Sequence, residues 1–286
     1  ENELELQKEL QTAQLQIQNK KNNILASKSI RQAIFGFDHA YGRINSEQDI
    51  KTFTPEHLRN FWGRSKNSFE VLVSGRPSEN TLKVIKDFFS AKNLAQHKEE
   101  SILVPSLPFE TPSNESVQAS IRMGKKTLRK EDQDYLSLLI TNHLLGGFFG
   151  SRLMKNIRED KGLTYGISSS LVPLQESAYW VIGAEVNTDN VDLALKEIHY
   201  EIERLTEFNN EEELETAKTH MVGSFQAELN SPFAIMDRFK SIHLHGLDYS
   251  YYDKLFDTIA SFRASDLRNI TTRYLTTDDL KRIVIN

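Results

Sequence analysis

The chain has 286 residues, 38% of them hydrophobic and 26% charged, with a net charge of −5 and no cysteine. That balance is ordinary for a globular protein of one or two domains and argues against a nucleic-acid or acidic-membrane partner. The absent cysteines exclude disulfides, thiolate zinc sites and cysteine nucleophiles, and no apolar run approaches the ~20 residues of a membrane span. The composition is that of a soluble protein and leaves the compartment open between cytoplasmic, periplasmic and organellar. The chain opens at Glu1 rather than Met, so any signal peptide is expected upstream.

Residues 2 to about 20 read as a helix, since Leu6, Leu10, Ala13 and Ile17 step by four, three and four along one stripe. A polar break at 18–23 leads into a second helix at 24–34, ended by Gly36. Residues 39–43 form a loop. Thr54 and Pro55 start the next helix as N-cap and first helical residue, and it carries Leu58, Phe61 and Trp62. Phe69, Val71 and Val73 alternate as a strand stopping at Gly75, and 82–89 is an amphipathic helix. Across 93–116, Pro105, Pro108 and Pro112 punctuate a charged, polar run that reads as a linker. Val117, Ala119, Ile121 and Met123 then alternate as a strand. A helix over 132–145 follows, then a strand over 179–186. Helices at 192–206, 211–229, 232–243 and 267–274 lead to a last strand at 282–285.

An internal repeat underlies this order. Ile50, Phe53, Leu58, Arg59 and Asn60 return 209 residues later as Ile259, Phe262, Leu267, Arg268 and Asn269. Glu3-Leu4 returns as Glu213-Leu214, and Val71/Val73 as Ile283/Ile285. A near-constant offset of that size predicts duplicated domains rather than a solenoid.

The most informative stretch is 144–167, LLGGFFGSRLMKNIREDKGLTYGI. Gly146-Gly147 breaks one apolar helix. Ser151 is placed to cap the next, which runs over 152–160 with Leu153, Met154 and Ile157 on one side. Gly162 stands where a left-handed C-cap is wanted. A strand then opens with Leu163, Tyr165 and Ile167 assigned to one face. Arg158 and Tyr165 thus flank a chain reversal and can reach one surface. Taken alone, Arg158 is an ordinary solvated helix-end charge and Tyr165 a core residue.

The ordered set Leu145-Gly146-Gly147, Ser151-Arg152-Leu153, Arg158-Glu159 and Gly162-Leu163-Thr164-Tyr165 resembles the signature of the non-zinc half of the pitrilysin/insulinase family of zinc metallopeptidases. The resemblance makes Arg158 and Tyr165 contacts to the substrate backbone. It makes Gly146 and Gly147 a chamber loop that peptide backbone approaches closely. It also implies an α+β fold, a duplicated unit of antiparallel sheet packed with helices. Residues 1–92 would be the second half of a first, incomplete repeat, 93–116 the linker, and 117–286 the second repeat, an inactive peptidase domain.

The family's zinc motif, H-x-x-E-H, needs two histidines four apart on one helical face with a glutamate as general base. None of the eight histidines meets it. His243 and His245 are two apart, and His199 with Glu203 reads as a solvated pair. By alignment to the family, the further glutamate ligand falls near Leu15 and Gln16, neither of which is a carboxylate. Ser168-Ser169-Ser170 reads as a solvated strand edge rather than a nucleophile. Gly146-Gly147-x-x-Gly150 follows a helix and lacks Gly-Lys-Ser/Thr, which excludes a nucleotide loop.

The expectation is therefore the non-zinc half of a metalloendopeptidase, inactive alone, closing a chamber over a peptide held through Arg158 and Tyr165. Zinc would lie in an N-terminal half or a catalytic subunit, and self-association is a further partner option. By family analogy, the 179–186 strand would pair with the extended peptide. The alternatives are an inactive scaffold of the kind found in respiratory cytochrome complexes, or a peptide-binding module.

Overall fold

The computed structural model describes residues 2–65, 70–89 and 116–286. Helices α1 (Asn2–Gln18), α2 (Asn22–Phe35), α3 (Glu47–Thr52), α4 (Pro55–Ser65) and α5 (Glu79–Phe88) come first. Strand β1 (Gln118–Lys126) follows, then α6 (Tyr135–Asn142), which continues into a π-helical turn, His143–Gly147. A second π-helical segment, Met154–Asp160, leads to the hairpin β2 (Thr164–Pro173) and β3 (Ala178–Asn187). Helices α7 (Val191–Arg204), α8 (Glu211–Glu228), α9 (Pro232–His243), α10 (Ser250–Ser261) and α11 (Ala264–Tyr274) precede the last strand, β4 (Lys281–Ile285).

Local chemistry sets many of these boundaries. Thr54 Oγ1 accepts the His57 N–H at 3.2 Å, as an N-cap should. Ser46 and Asp49 form a capping box on α3, and Ser231 caps α9 with Pro232 in its first turn. Helices α3 and α10 escaped the sequence reading. Their signals are the Ser46-x-x-Asp49 box and the four-residue steps of Tyr251, Leu255 and Ile259.

The strands form one antiparallel sheet in the order β2-β3-β1-β4. Along β3 the even-numbered residues Ala178 to Val186 are buried, while the odd-numbered ones face the other side and are only partly covered. Trp180, Ile182, Ile121 and Met123 join Leu138, Leu145, Ile157 and Leu267 in the main core on the first face. Helix α2 covers part of the second face. Its Ala26, Ile30, Ile34 and Phe35 pack on Ile283, Ile285, Tyr179 and Val181. Gly124 lets α2 come close, since a Cβ there would lie 3.3 Å from Ile34 Cδ1 and 2.6 Å from the Trp180 carbonyl oxygen.

Three expectations change. The strand 179–186 exists as β3, but β1 and β2 occupy both its edges, so it has no free edge for a peptide. The sheet's outer strands are β2 and β4. Residues 70–75 form no strand, because no described strand lies beside them to share a ladder; Phe69 lies outside the described residues. They run instead along α9, where Ser74 Oγ donates to the Pro232 carbonyl at 2.6 Å and His243 Nε2 lies 2.6 Å from Glu70 Oε2. Ser151 does not cap its helix through its hydroxyl, which is buried without a hydrogen-bond partner. The linker expectation falls, for 93–115, outside the described residues.

Because Ile30 is buried between α2 and the sheet, truncating it should leave a cavity. Ile30→Ala is expected to cost about 2–4 kcal/mol of stability, measured by urea unfolding.

Candidate functional site

The site grows from the polar core beneath the glycine turn. Ser169 Oγ lies 2.5 Å from Asn142 Oδ1 and accepts the Trp180 indole N–H at 2.7 Å, while Asn142 Nδ2 donates to the Ser169 carbonyl at 3.0 Å. All three residues are buried. Ser168 and Ser170 do face solvent, but Ser169 is interior, because the strand alternates across its two faces. Gly146 sits against this network. A Cβ there would meet Ser169 Cβ at 2.6 Å and Ser169 N at 2.7 Å, so only glycine permits the approach. Gly147 is exposed and presses on His143, whose Nδ1 would lie 2.7 Å from an added Cβ.

The two phenylalanines after the glycines part ways. Phe148 stacks on His143 and on His220 of α8, with ring centroids 4.9 and 4.5 Å away. The imidazoles are bonded to each other, His143 Nε2 to His220 Nδ1, at 3.1 Å. Phe149 points outward. The Arg158 guanidinium carbon lies 4.6 Å from its ring centroid, and Arg158 pairs with no carboxylate among the described residues.

Hydrogen bonds to buried carboxylates and a partly buried ion pair hold the helical segment that carries Arg158. The Asn156 amide donates to Glu197 at 3.1 Å and to Glu201 at 2.7 Å, both on α7. Lys161 and Arg204 balance those carboxylates. Arg152 makes a two-pronged pair with Glu213 at 2.8 and 2.9 Å, its guanidinium resting on Phe208. Sequence reasoning gave no role to Asn156, Glu197 and Glu213, because partners 41 to 61 residues apart leave no local signal, nor to Phe149, whose partner Arg158 comes back onto its ring from nine positions along the chain.

The segment ends as expected. Gly162 has φ +63°, the Leu163 N–H donates to the Ile157 carbonyl at 2.9 Å, and the Gly162 N–H donates to that of Arg158 at 3.2 Å. Tyr165, however, does not share a face with Leu163 and Ile167. Thr164 pairs with Val186 and Ile167 with Ala184, so β2 carries one extra residue at this point. Thr164 Oγ1 pins the bulge, lying 2.6 Å from the Glu185 carbonyl and accepting the Gly166 N–H at 3.1 Å. A bulge re-aims side chains. Tyr165 is 88% exposed while Leu163 and Ile167 are buried, and its hydroxyl has no partner among the described residues. The structure thus joins Arg158 to the glycine turn through Phe149 and leaves Tyr165 standing alone at the start of an edge strand.

Zinc finds no fitting ligand set in this arrangement. Among the described residues no three His, Asp or Glu side chains could hold a metal ion, and the facing nitrogens of His143 and His220 are engaged with each other. Also among the described residues, no helix is long and apolar enough to cross a membrane.

Burial, then the neighbouring His220, pulls the His143 imidazole down to about 4. The unfolded chain therefore takes up a proton below pH ~6.5 that the native ring refuses until about pH 4. Stability should fall across that window, by an amount on the order of 3 kcal/mol. His143→Gln should remove this part of the slope when urea unfolding is compared at pH 7 and pH 4.5.

Comparison with known proteins gives the family of the chain. Residues 52–221 match the model of the peptidase M16 inactive domain. The uncharacterized zinc protease YmxG of Bacillus subtilis is 25% identical over 245 residues, covering 83% of this chain and 59% of that protein. The probable inactive metalloprotease YmfF of the same species is 28% identical over 159 residues, covering 52% of this chain and 36% of its own length. Among solved structures, a peptidase M16 inactive domain from Pseudomonas fluorescens aligns with a TM-score of 0.81 at 21% identity, covering 99% of this chain and 70% of that one. A protease from Helicobacter pylori aligns at 0.77 and 18%, covering 100% and 72%. The chain spans less than two thirds of the length of its curated zinc-protease relatives. With more than half of its residues inside the family model, the chain belongs to the family of peptidase M16 inactive domains.

Proposed function

We propose that this chain is the non-zinc half of an M16-type metallopeptidase, closing a chamber over an extended peptide whose backbone it holds through Arg158 and Tyr165. The hydrolytic chemistry resides in a zinc-bearing half or catalytic subunit outside this chain. The observation that carries the reading is a pair of unsatisfied donors on one helix-to-strand reversal. Among the described residues, Arg158 offers its N–H fork with no carboxylate to neutralise it, and Tyr165 offers a phenol without a partner on an edge strand. Both donate to a carbonyl oxygen and neither is a base, which suits a surface that binds and polarises a peptide carbonyl.

A paired architecture is part of the proposal. Residues 1–92 form the second half of one repeat and 117–286 a second repeat, joined through 93–116. The 209-residue offset supports this, as does the helix order, in which α1 to α4 are echoed by α8 to α11. So does the likeness between β4 lying along α2 and 70–75 lying along α9. Leu58, Phe61, Trp62, Val71 and Val73 are exposed on the first unit. Apolar surface of that extent is what a partner half would cover.

The test supplies the zinc-bearing half and follows peptide cleavage. Tyr165→Phe should lower kcat about 100-fold with a smaller rise in KM, because a hydrogen bond to a developing oxyanion strengthens in the transition state. Arg158→Ala should change both constants. An unchanged kcat/KM in the double variant would overturn the assignment.

A further inference from the structure

We propose that Phe149 is a specificity-determining residue of this surface, its open ring face receiving a bulky apolar side chain of the peptide that Arg158 holds. The inference rests on the reading of Arg158 and Tyr165 above and adds to it a class of substrate.

Phe148 and Phe149 are adjacent on one turn but have opposite fates. Phe148 is stacked inward on two imidazoles, and Phe149 is 60% exposed. Single exposed phenylalanines are common on protein surfaces. This one differs in two respects. Its backbone belongs to a turn that cannot shift easily, because Gly146 abuts Ser169 and Gly147 abuts His143. Its ring also carries the Arg158 guanidinium at 4.6 Å. The stack orients the guanidinium, occupies part of the ring and leaves the rest in water. A ring held in this way loses little freedom when a ligand covers it, so apolar contact there converts efficiently into affinity.

The register of an extended peptide does the rest. Successive side chains of such a peptide point to opposite sides. A peptide whose carbonyl oxygen accepts from Arg158 therefore brings a nearby side chain over Phe149. Leucine or phenylalanine gains from covering the ring. A lysine does not, although cations ordinarily favour aromatic faces, because the Arg158 charge already lies against this ring and repels a second one.

The experiment uses the full 286-residue chain and a Gly/Ser host peptide with one guest position, Phe, Leu, Ala or Lys. Binding is followed by nitrogen-15 NMR titration, which detects weak complexes. Phe and Leu guests should bind about tenfold tighter than Ala, and Lys no tighter than Ala. Phe149→Ala should shrink the apolar preference below about twofold, and Phe149→Leu should retain most of it. The pair Arg158→Ala with Tyr165→Phe should weaken all guests together. A preference that survives Phe149→Ala, or one absent from the wild-type chain, overturns the role of Phe149 while leaving the Arg158/Tyr165 reading intact. Guest affinities unchanged in the Arg158/Tyr165 double variant overturn that reading, and no saturable binding of any guest overturns both.

Discussion

Ser169 is 2% exposed, and a hydroxyl in so buried a residue is costly unless it is bonded. It meets this demand by joining three elements at once: α6 through Asn142, β3 through Trp180, and β2 through its own backbone. Everything at the site is placed relative to that junction. Gly146 can pack on Ser169 because it has no side chain, and it lies in the π-helical turn by which the chain leaves α6. Where that turn ends, one phenylalanine is directed inward and the next outward.

The second support is ionic. Glu197 and Glu201 are buried, and buried carboxylates persist only with donors in place. Asn156 satisfies both from the segment that carries Arg158, and Arg152 does the same for Glu213. The helical segment is thus clamped to α7 and α8 on one side, and the Gly162 reversal ties its end to β2 on the other. Arg158 itself joins no ion pair among the described residues, so its charge is left unneutralised there while its support is held. That division between a neutralised frame and an unneutralised tip is the physical basis for treating it as a contact to a ligand.

The two ends of the chain are packed unequally. From β1 onward a continuous core fills the space between sheet and helices. In the first 89 residues, burial is concentrated in α2, which rests on the sheet of the other part, whereas α3 and α5 contain no buried residue. The stability of that first part therefore depends on the α2–sheet contact, where Ile30, Ile34 and Phe35 meet Ile283 and Ile285.

The sequence by itself determined what depends on neighbouring residues. Helix caps at Thr54 and Ser231, the left-handed Gly162, the alternation of β3 and the absence of H-x-x-E-H all follow from spacings of a few residues. So did the nomination of Arg158 and Tyr165, through an ordered motif. The tertiary structure alone decided what depends on pairing between distant segments. Tyr165 is exposed rather than core because a bulge shifts β2 against β3, and a bulge exists only relative to a partner strand. Ser169 is buried because α6 closes over it, β3 is central because β1 pairs on its far edge, and 70–75 stays unladdered because no described strand lies beside it. The Phe149 environment was decided in the same way, by an arginine nine positions along the chain that returns to lie on its ring. Local sequence encodes the conformation of a segment, but which side of it meets water is set by what packs against it.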